Sequence, residues 1–375
     1  MKVAFRADAS LQIGTGHVMR CLTLADALAE RGADCHFICR EHAGNLIEFI
    51  HSKGHAVHVL PVVRSSGQAT NPTQAGSAGK ELAHGHWLGA TQDEDAQACA
   101  DLLAELQPNW LIVDHYALDA RWEQTLKPHY RQLMVIDDLA DRPHLCDLLL
   151  DQTFGRDPED YRAWVPAGCR LLCGSQYALL RPEFAALRPY SLQRRTKPSL
   201  RQLLVTMGGV DKDNATGQVL QALRSCALPA DCEITVVMGP KAPWLEAVRQ
   251  QAQDMPWPTR VLSGVSDMAR LMADSDLAIG AAGATSWERC CLGLPTIMLV
   301  LADNQLKVAK GLEQAGAAAL VVSGESASYQ VAALLTSLVA SPNNMRTMSK
   351  LAAGIVDGMG TSSVHALLDM QRDRI

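Results

Sequence analysis

Short apolar runs alternate with helical stretches along almost the whole chain, and the alternation stops and restarts once. In the first half, runs at 3–5, 35–39, 57–60, 110–113 and 133–136 read as strands, and 17–31, 45–53 and 94–106 as helices. Val18, Cys21, Leu22, Ala25, Leu28 and Ala29 share one face of the helix at 17–31, which meets a glycine stop at Gly32. Residues 61–90, rich in Gly, Ser, Ala and His, read as a long exposed loop. Residues 187–201, with Pro189, Pro198, Arg194, Arg195, Lys197 and Arg201, read as a linker. Beyond it, strands at 203–206, 233–238, 260–262, 277–280, 296–300 and 317–322 alternate with helices at 214–226, 244–252, 267–273, 286–292 and 306–314. Two more helical stretches follow at 328–340 and 345–374, the last broken by Gly358 and Gly360. Short strands joined by helical crossovers pair in parallel, with helices on both faces of the sheet. The expected fold class is therefore α/β, with one domain over 1–190, a second over 201–375, and the last helix able to pack back on the first. A ligand would lie outside the carboxyl ends of the strands, in a cleft between the two sheets.

Composition narrows the function. The chain of 375 residues has a net charge of −6, which argues against nucleic acid or an acidic membrane as partner. Arg6 and Asp8 interrupt the N-terminal apolar run, so it is not a signal peptide. The longest apolar stretches, such as 296–302, are too short to span a bilayer. Eleven cysteines occur without a C-x-x-C pair; Cys35 with Cys39 and Cys169 with Cys173 have strand spacing. Reduced, buried thiols of a cytoplasmic protein are expected.

Chemistry concentrates at the start of the chain. The first strand runs into Gly14-Thr15-Gly16-His17, a loop small enough for a phosphate or sugar to approach the backbone. A dinucleotide fingerprint would need a third glycine near Met19, and a phosphate-binding P-loop would need Lys after Gly16; both are absent. A plain glycine turn would not call for a histidine, a mediocre helix former that suits proton transfer near neutral pH. Asp8 could orient that imidazole, bond a sugar hydroxyl, or simply serve the turn.

In the second half, 277–288 ends a strand in small residues before Gly283, Ala284, Thr285, Ser286 and Glu288 open a helix. Backbone amides there could cradle a diphosphate, with Glu288 gripping ribose hydroxyls. The same residues could instead form a capping box, Thr285 with Glu288. Asp303-Asn304-Gln305 and Gly208-Gly209-Val210-Asp211 also follow strands, the former either a sugar contact or a helix cap. Asp114-His115-Tyr116 and Asp137-Asp138 follow first-half strands; the acidic pair lacks further ligands at metal spacing, so no metal and no cofactor is expected. His51, His55 and His58 are read as surface residues.

Taken together, these motifs resemble the UDP-2,4-diacetamido-2,4,6-trideoxy-β-L-altropyranose hydrolases of pseudaminic acid synthesis. The motifs are Arg6-x-Asp8, 13–25, Asp114-His115-Tyr116, 136–138, Gly208-Gly209-Val210-Asp211 and 283–288. The second half is more distantly similar to the transferase that adds N-acetylglucosamine to lipid-linked muramyl-peptide. The resemblance implies the GT-B fold, two Rossmann-like domains facing across a cleft. It implies metal-independent, inverting attack of water on a UDP-sugar, releasing UDP and a free diacetamido sugar for nonulosonic acid synthesis and flagellin glycosylation. His17 matches the family's catalytic base and Glu288 its ribose-binding carboxylate. Val265 falls where the family's backbone meets uracil, and Asn304 and Gln305 match donor-sugar contacts of the related transferase. Gln152, in the loop 151–156, would face substrate, and the loop 62–86 is longer than usual in the family. The expected partner is the UDP-linked diacetamido trideoxy sugar, bound by a monomer. Rival readings are a true glycosyltransferase with His17 as base for an acceptor hydroxyl, a hydrolysing UDP-N-acetylglucosamine 2-epimerase, and a nucleotide-sugar sensor.

Overall fold

The computed structural model describes residues 1–62, 82–322, 324 and 327–370, apart from the side chains of Asn304 and Met370. Residues 63–81, most of the loop expected at 61–90, lie outside the described residues, as do 371–375 at the end of the last helical stretch. Internal contacts divide the chain into two units. One comprises Met1–Gln152 with Arg156–Cys173; the other comprises Thr153–Gly155 with Gly174–Ile375.

The first unit carries β1 (Lys2–Ala7), β2 (Asp34–Arg40), β3 (Ala56–Leu60), β4 (Trp110–Asp114), β5 (Gln132–Ile136), β6 (Leu148–Asp151) and β7 (Arg170–Cys173). Their order in the sheet is β3-β2-β1-β4-β5-β6-β7, with every pairing parallel. The second unit carries β8 (Gln202–Thr206), β9 (Glu233–Met238), β10 (Thr259–Ser263), β11 (Leu277–Ala281), β12 (Thr296–Val300) and β13 (Ala319–Val322). These are also all parallel, ordered β10-β9-β8-β11-β12-β13. The central strands are buried along their length, β4, β11 and β12 without exception, as apolar runs covered on both faces must be. Each sheet reverses its winding once, at β1/β4 in the first and at β8/β11 in the second. Loops leaving the carboxyl ends of those strands diverge there and leave room for a ligand.

A buried ionic network holds the first unit's loops. Asp95, on the helix Gln92–Leu106, binds Arg6 of β1 at 2.7 Å and Arg40 of β2 at 2.5 Å, and accepts the indole N–H of Trp122 at 3.0 Å. Asp8 binds Arg6 at 2.7 Å and accepts the amide of Arg40 at 2.6 Å. Burial opposes ionisation of Asp95, but Arg6 and Arg40 hold its carboxyl below the usual range.

The structure corrects several expectations. Residues 187–201 are largely helix, Pro182–Arg194, with Pro189 inside it. Tertiary bonds outweigh the proline. Arg188 donates to the carbonyls of Cys291, Ala353 and Val356, and Arg195 to those of Met272, Ala273 and Ser275. Arg188, and Arg195 of the basic cluster that read as a linker, thus satisfy carbonyls at and near helix ends. His55 is buried rather than exposed, bound to Asp26 at 2.7 Å and packed on Phe37. The helix Ala120–Leu126 and the strand β6, which lies between β5 and β7, were not expected; both are short and carry weak periodicity. The last helix, Gly360–Met370, packs on residues within 1–190, the turn Ser175–Tyr177, although contacts group that turn with the second unit. All eleven cysteines are free thiols.

Removing Asp95 leaves two arginines buried without their shared anion. Asp95→Ala should therefore cost about 3–5 kcal/mol of unfolding free energy. A urea titration that matches the parent would show the network to be dispensable.

Candidate active site

β1 delivers its loop to the β1/β4 switch. Residues 8–15 close on themselves: Gly14 N–H donates to Ser10 O at 2.9 Å, and the Ser10 hydroxyl accepts the amides of Gln12 and Ile13. Gly14 has φ +82°, a left-handed conformation that a side chain would strain, so the glycine is required by the turn. Gly16 opens the helix Gly16–Ala29, and His17 follows in its first turn.

Asp114, last residue of β4, pairs across the sheet with Ala7. It therefore lies beside the loop that carries His17. Its Oδ1 lies 2.6 Å from His17 Nδ1, and Arg20 donates to both carboxylate oxygens, at 2.6 and 2.8 Å. Arg20 continues to Asp138 at 2.6 Å, and the Tyr116 hydroxyl donates to the same Asp138 oxygen at 2.8 Å. Burial pushes the Asp114 carboxyl upward, but Arg20 and then His17 outweigh it and hold it well below the usual carboxylate range. An ionised Asp114 makes Nδ1 the protonated imidazole nitrogen and leaves Nε2 as the acceptor. Nε2 has no hydrogen-bond partner among the described residues. Tyr116 meets the imidazole edge-on at 4.6 Å, and Trp87 stands 6.4 Å from it.

Asp8 does not orient His17. It is fully buried, bound to Arg6 and the Arg40 amide, with His115 Nε2 at 3.2 Å. With no exposed surface, it is tied into the interior beneath the loop. Strand-like alternation separates the roles of three adjacent residues: Asp114 and Tyr116 go with His17 and Arg20, while His115 turns to Asp8. The acidic pair is occupied as well. Asp137 binds Arg142 at 2.8 Å and the Tyr161 hydroxyl at 2.9 Å, while Asp138 serves Arg20 and Tyr116. Among the described residues no group of His, Cys, Asp or Glu is arranged to hold a metal. Gln152 is buried directly after β6, one residue beyond Asp151, which pairs with Arg156.

In the second unit, β11 ends in small residues because something large lies beneath it. The buried Arg289 guanidinium would stand 2.6 Å from a Cβ on Gly280. It donates to Ala281 O at 2.7 Å, and to the Thr285 and Ser286 hydroxyls at 3.1 Å each. The capping box does not form: Ala284 is the N-cap, with no side-chain bond, and the Thr285 hydroxyl is turned to Arg289. The hydroxyls of Thr285 and Ser286 thus face inward. The amides of Gly283, Ala284 and Thr285 have no acceptor among the described residues, whereas Ser286 N–H bonds Gly283 O.

Glu288 is half-buried on this helix. Burial pushes its carboxyl up to about 7, against the opposing pull of Arg181 and Arg289. Arg181 pairs with Glu183 at 3.1 Å and donates to Ser266 O at 3.5 Å, next to the half-buried Val265 after β10. Gln305 folds its side-chain carbonyl back onto the Leu301 amide at 2.9 Å, and Asp303 does not cap its turn. Asp211, after the Gly208-Gly209 turn, caps the next helix through the amides of Ala215 and Thr216.

Sequence reasoning singled out His17 and the motif 114–116 but not their bond, and it missed Arg20, Trp87 and Arg181. For Arg20, the signal was its i+3 spacing from His17 on one helix face.

The fold, two parallel Rossmann-like sheets, is that of the GT-B glycosyltransferases. Acinetobacter baumannii MurG superposes with TM-score 0.68 at 16% identity, covering 98% of this chain and 99% of that one. Residues 202–360 match the glycosyltransferase family 28 C-terminal domain. The resemblance read from the motifs is borne out: the chain is 26% identical over 316 residues to the UDP-2,4-diacetamido-2,4,6-trideoxy-β-L-altropyranose hydrolase of Campylobacter jejuni, covering 84% of this chain and 97% of that protein. It is also 32% identical over 213 residues to the spore coat polysaccharide biosynthesis protein SpsG of Bacillus subtilis, 55% of this chain and 60% of the relative. No helix among the described residues is long and apolar enough to cross a membrane.

The His17–Asp114 bond is short and charge-assisted. Its imidazole proton should give a downfield NMR resonance that disappears in Asp114→Ala. Persistence of that resonance in the variant would assign the proton to another partner.

Proposed function

We propose that the protein hydrolyses UDP-2,4-diacetamido-2,4,6-trideoxy-β-L-altropyranose, with inversion and without a metal, yielding UDP and 2,4-diacetamido-2,4,6-trideoxy-L-altrose. The observation that carries this reading is His17, held through Nδ1 by ionised Asp114 with Nε2 left to accept a proton. Water attacks the anomeric carbon while Nε2 takes its proton. The bond from that carbon to the phosphate oxygen breaks, and UDP leaves with the electron pair. The imidazolium, steadied by Asp114, then returns its proton to solvent. The second unit binds UDP: amides of Gly283, Ala284 and Thr285 on the diphosphate, Glu288 on the ribose, the Val265 backbone on the uracil, and Asn304 and Gln305 on the sugar. The match of residues 202–360 to a glycosyltransferase C-terminal domain supports that division of roles. The product would feed nonulosonic acid synthesis, as the relative's name suggests.

The decisive assay is UDP release from this sugar nucleotide with chelator present and UDP-N-acetylglucosamine as control. The expected result is release from the first alone, and a fall of about 10²–10⁴-fold in kcat for His17→Asn. Near-parent turnover in that variant would remove His17 as base. The likeness to MurG favours a second reading, in which Nε2 deprotonates an acceptor hydroxyl. UDP release only upon addition of an acceptor would select it.

Glu288 is expected to act as a carboxylate. Its ionised form predominates only above about pH 7, so its contribution to UDP affinity is present above that pH and lost below it. Glu288→Ala should raise the UDP Kd about 10- to 100-fold at pH 8. The parent's loss of affinity between pH 8 and 6 should exceed that of Glu288→Gln, which retains only the titration of UDP itself. Equal pH profiles in calorimetry would take the ribose role from Glu288.

A further inference from the structure

We propose that Trp87, backed by His84, is a sugar-stacking wall of this site that selects a deoxy sugar carrying acetamido groups. The inference rests on the reading of His17 as the base at the anomeric carbon. Four rings gather there within the first unit. Trp87 stacks on Tyr116 at 5.8 Å with planes 26° apart, and His84 lies 4.4 Å from Trp87 and 5.6 Å from Tyr116. Tyr116 in turn abuts His17. Trp87 therefore stands within the span of one pyranose ring from the imidazole.

The wall is rigid. Gly85–Leu88 is a short 3₁₀ turn whose Leu88 is buried in the core. Directly after it, Thr91 and Glu94 form a capping box, and Asp95 binds Arg6 and Arg40. The segment is thus tied to the same strand that delivers His17. Arg142 lies over the Tyr116 ring at 5.7 Å and fixes the tyrosine.

Trp87 is only half-buried, and its indole N–H has no acceptor among the described residues. A half-exposed indole of this kind suits a ligand that is apolar over most of its surface and carries carbonyl oxygens. The C–H face and methyl groups of a 6-deoxy sugar supply the first, and an acetamido carbonyl supplies the second. A sugar with hydroxyls in place of those groups would leave its polar atoms unmatched against the rings.

The test joins kinetics to direct binding, using Trp87→Ala and the conservative Trp87→Phe. With the diacetamido sugar nucleotide, Trp87→Ala should raise KM about 10-fold while Trp87→Phe recovers most of it and the UDP Kd stays unchanged in both. In saturation-transfer NMR with free 2,4-diacetamido-2,4,6-trideoxy-L-altrose as probe, the acetamido methyl signals should receive saturation from parent and Trp87→Phe but not from Trp87→Ala. Parent-like KM and methyl saturation in Trp87→Ala overturn the proposal. Methyl saturation that depends on Trp87, in a parent that releases no UDP, supports the wall and overturns the hydrolysis.

Discussion

A carboxylate removed from water must be matched by positive charge and N–H donors, and Asp114 meets that demand with Arg20 and His17 together. The match acts in both directions. Arg20 keeps Asp114 ionised, and ionised Asp114 sets the tautomer of His17. The geometry depends on the parallel pairing of β1 with β4, which sets Ala7 against Asp114 and so brings two loops, about a hundred residues apart in the chain, side by side. A shift of one residue in that register would turn Asp114 to the other face of the sheet.

Beneath this pair lies a second layer of buried charge. Arg6, Asp8, Arg40 and Asp95 neutralise one another in the first unit's interior, and each comes from a different strand, loop or helix. Such groups are costly to bury singly but can be held as a connected set. Their arrangement ties the start of the loop bearing His17 and the segment bearing Trp87 to one scaffold. The second unit shows related economy at Arg289, whose guanidinium binds a strand-end carbonyl and two hydroxyls, with no carboxylate within ion-pair distance among the described residues. Burial lowers its affinity for protons to about 10, still leaving it charged at neutral pH. The Gly280 position is small because that side chain passes directly against the strand.

Arginine was the residue type hardest to interpret from sequence. Arg188 and Arg195 looked like the charge of an exposed linker, yet they reach carbonyls at the ends of helices distant in the chain. Arg20 fell inside the motif 13–25 with no role read for it, yet it carries the central ion pair. A long side chain with five donors can satisfy groups far from its own backbone, so local pattern says little about its partner.

The alternation of apolar runs and helical stretches, by itself, determined the two parallel sheets, because such runs can be buried only between layers of helices. Glycine spacing and a histidine at the start of a helix likewise marked His17, since a left-handed turn and a titratable ring are local properties. Tertiary structure alone decided which carboxylate serves that histidine. Asp8, nearer in sequence, went to Arg6, while Asp114 went to His17. It also decided that the Thr285 and Ser286 hydroxyls bind Arg289 rather than face outward, and that Trp87 stands beside the imidazole. Those outcomes depend on strand order and register, which set distances between residues that no local pattern relates.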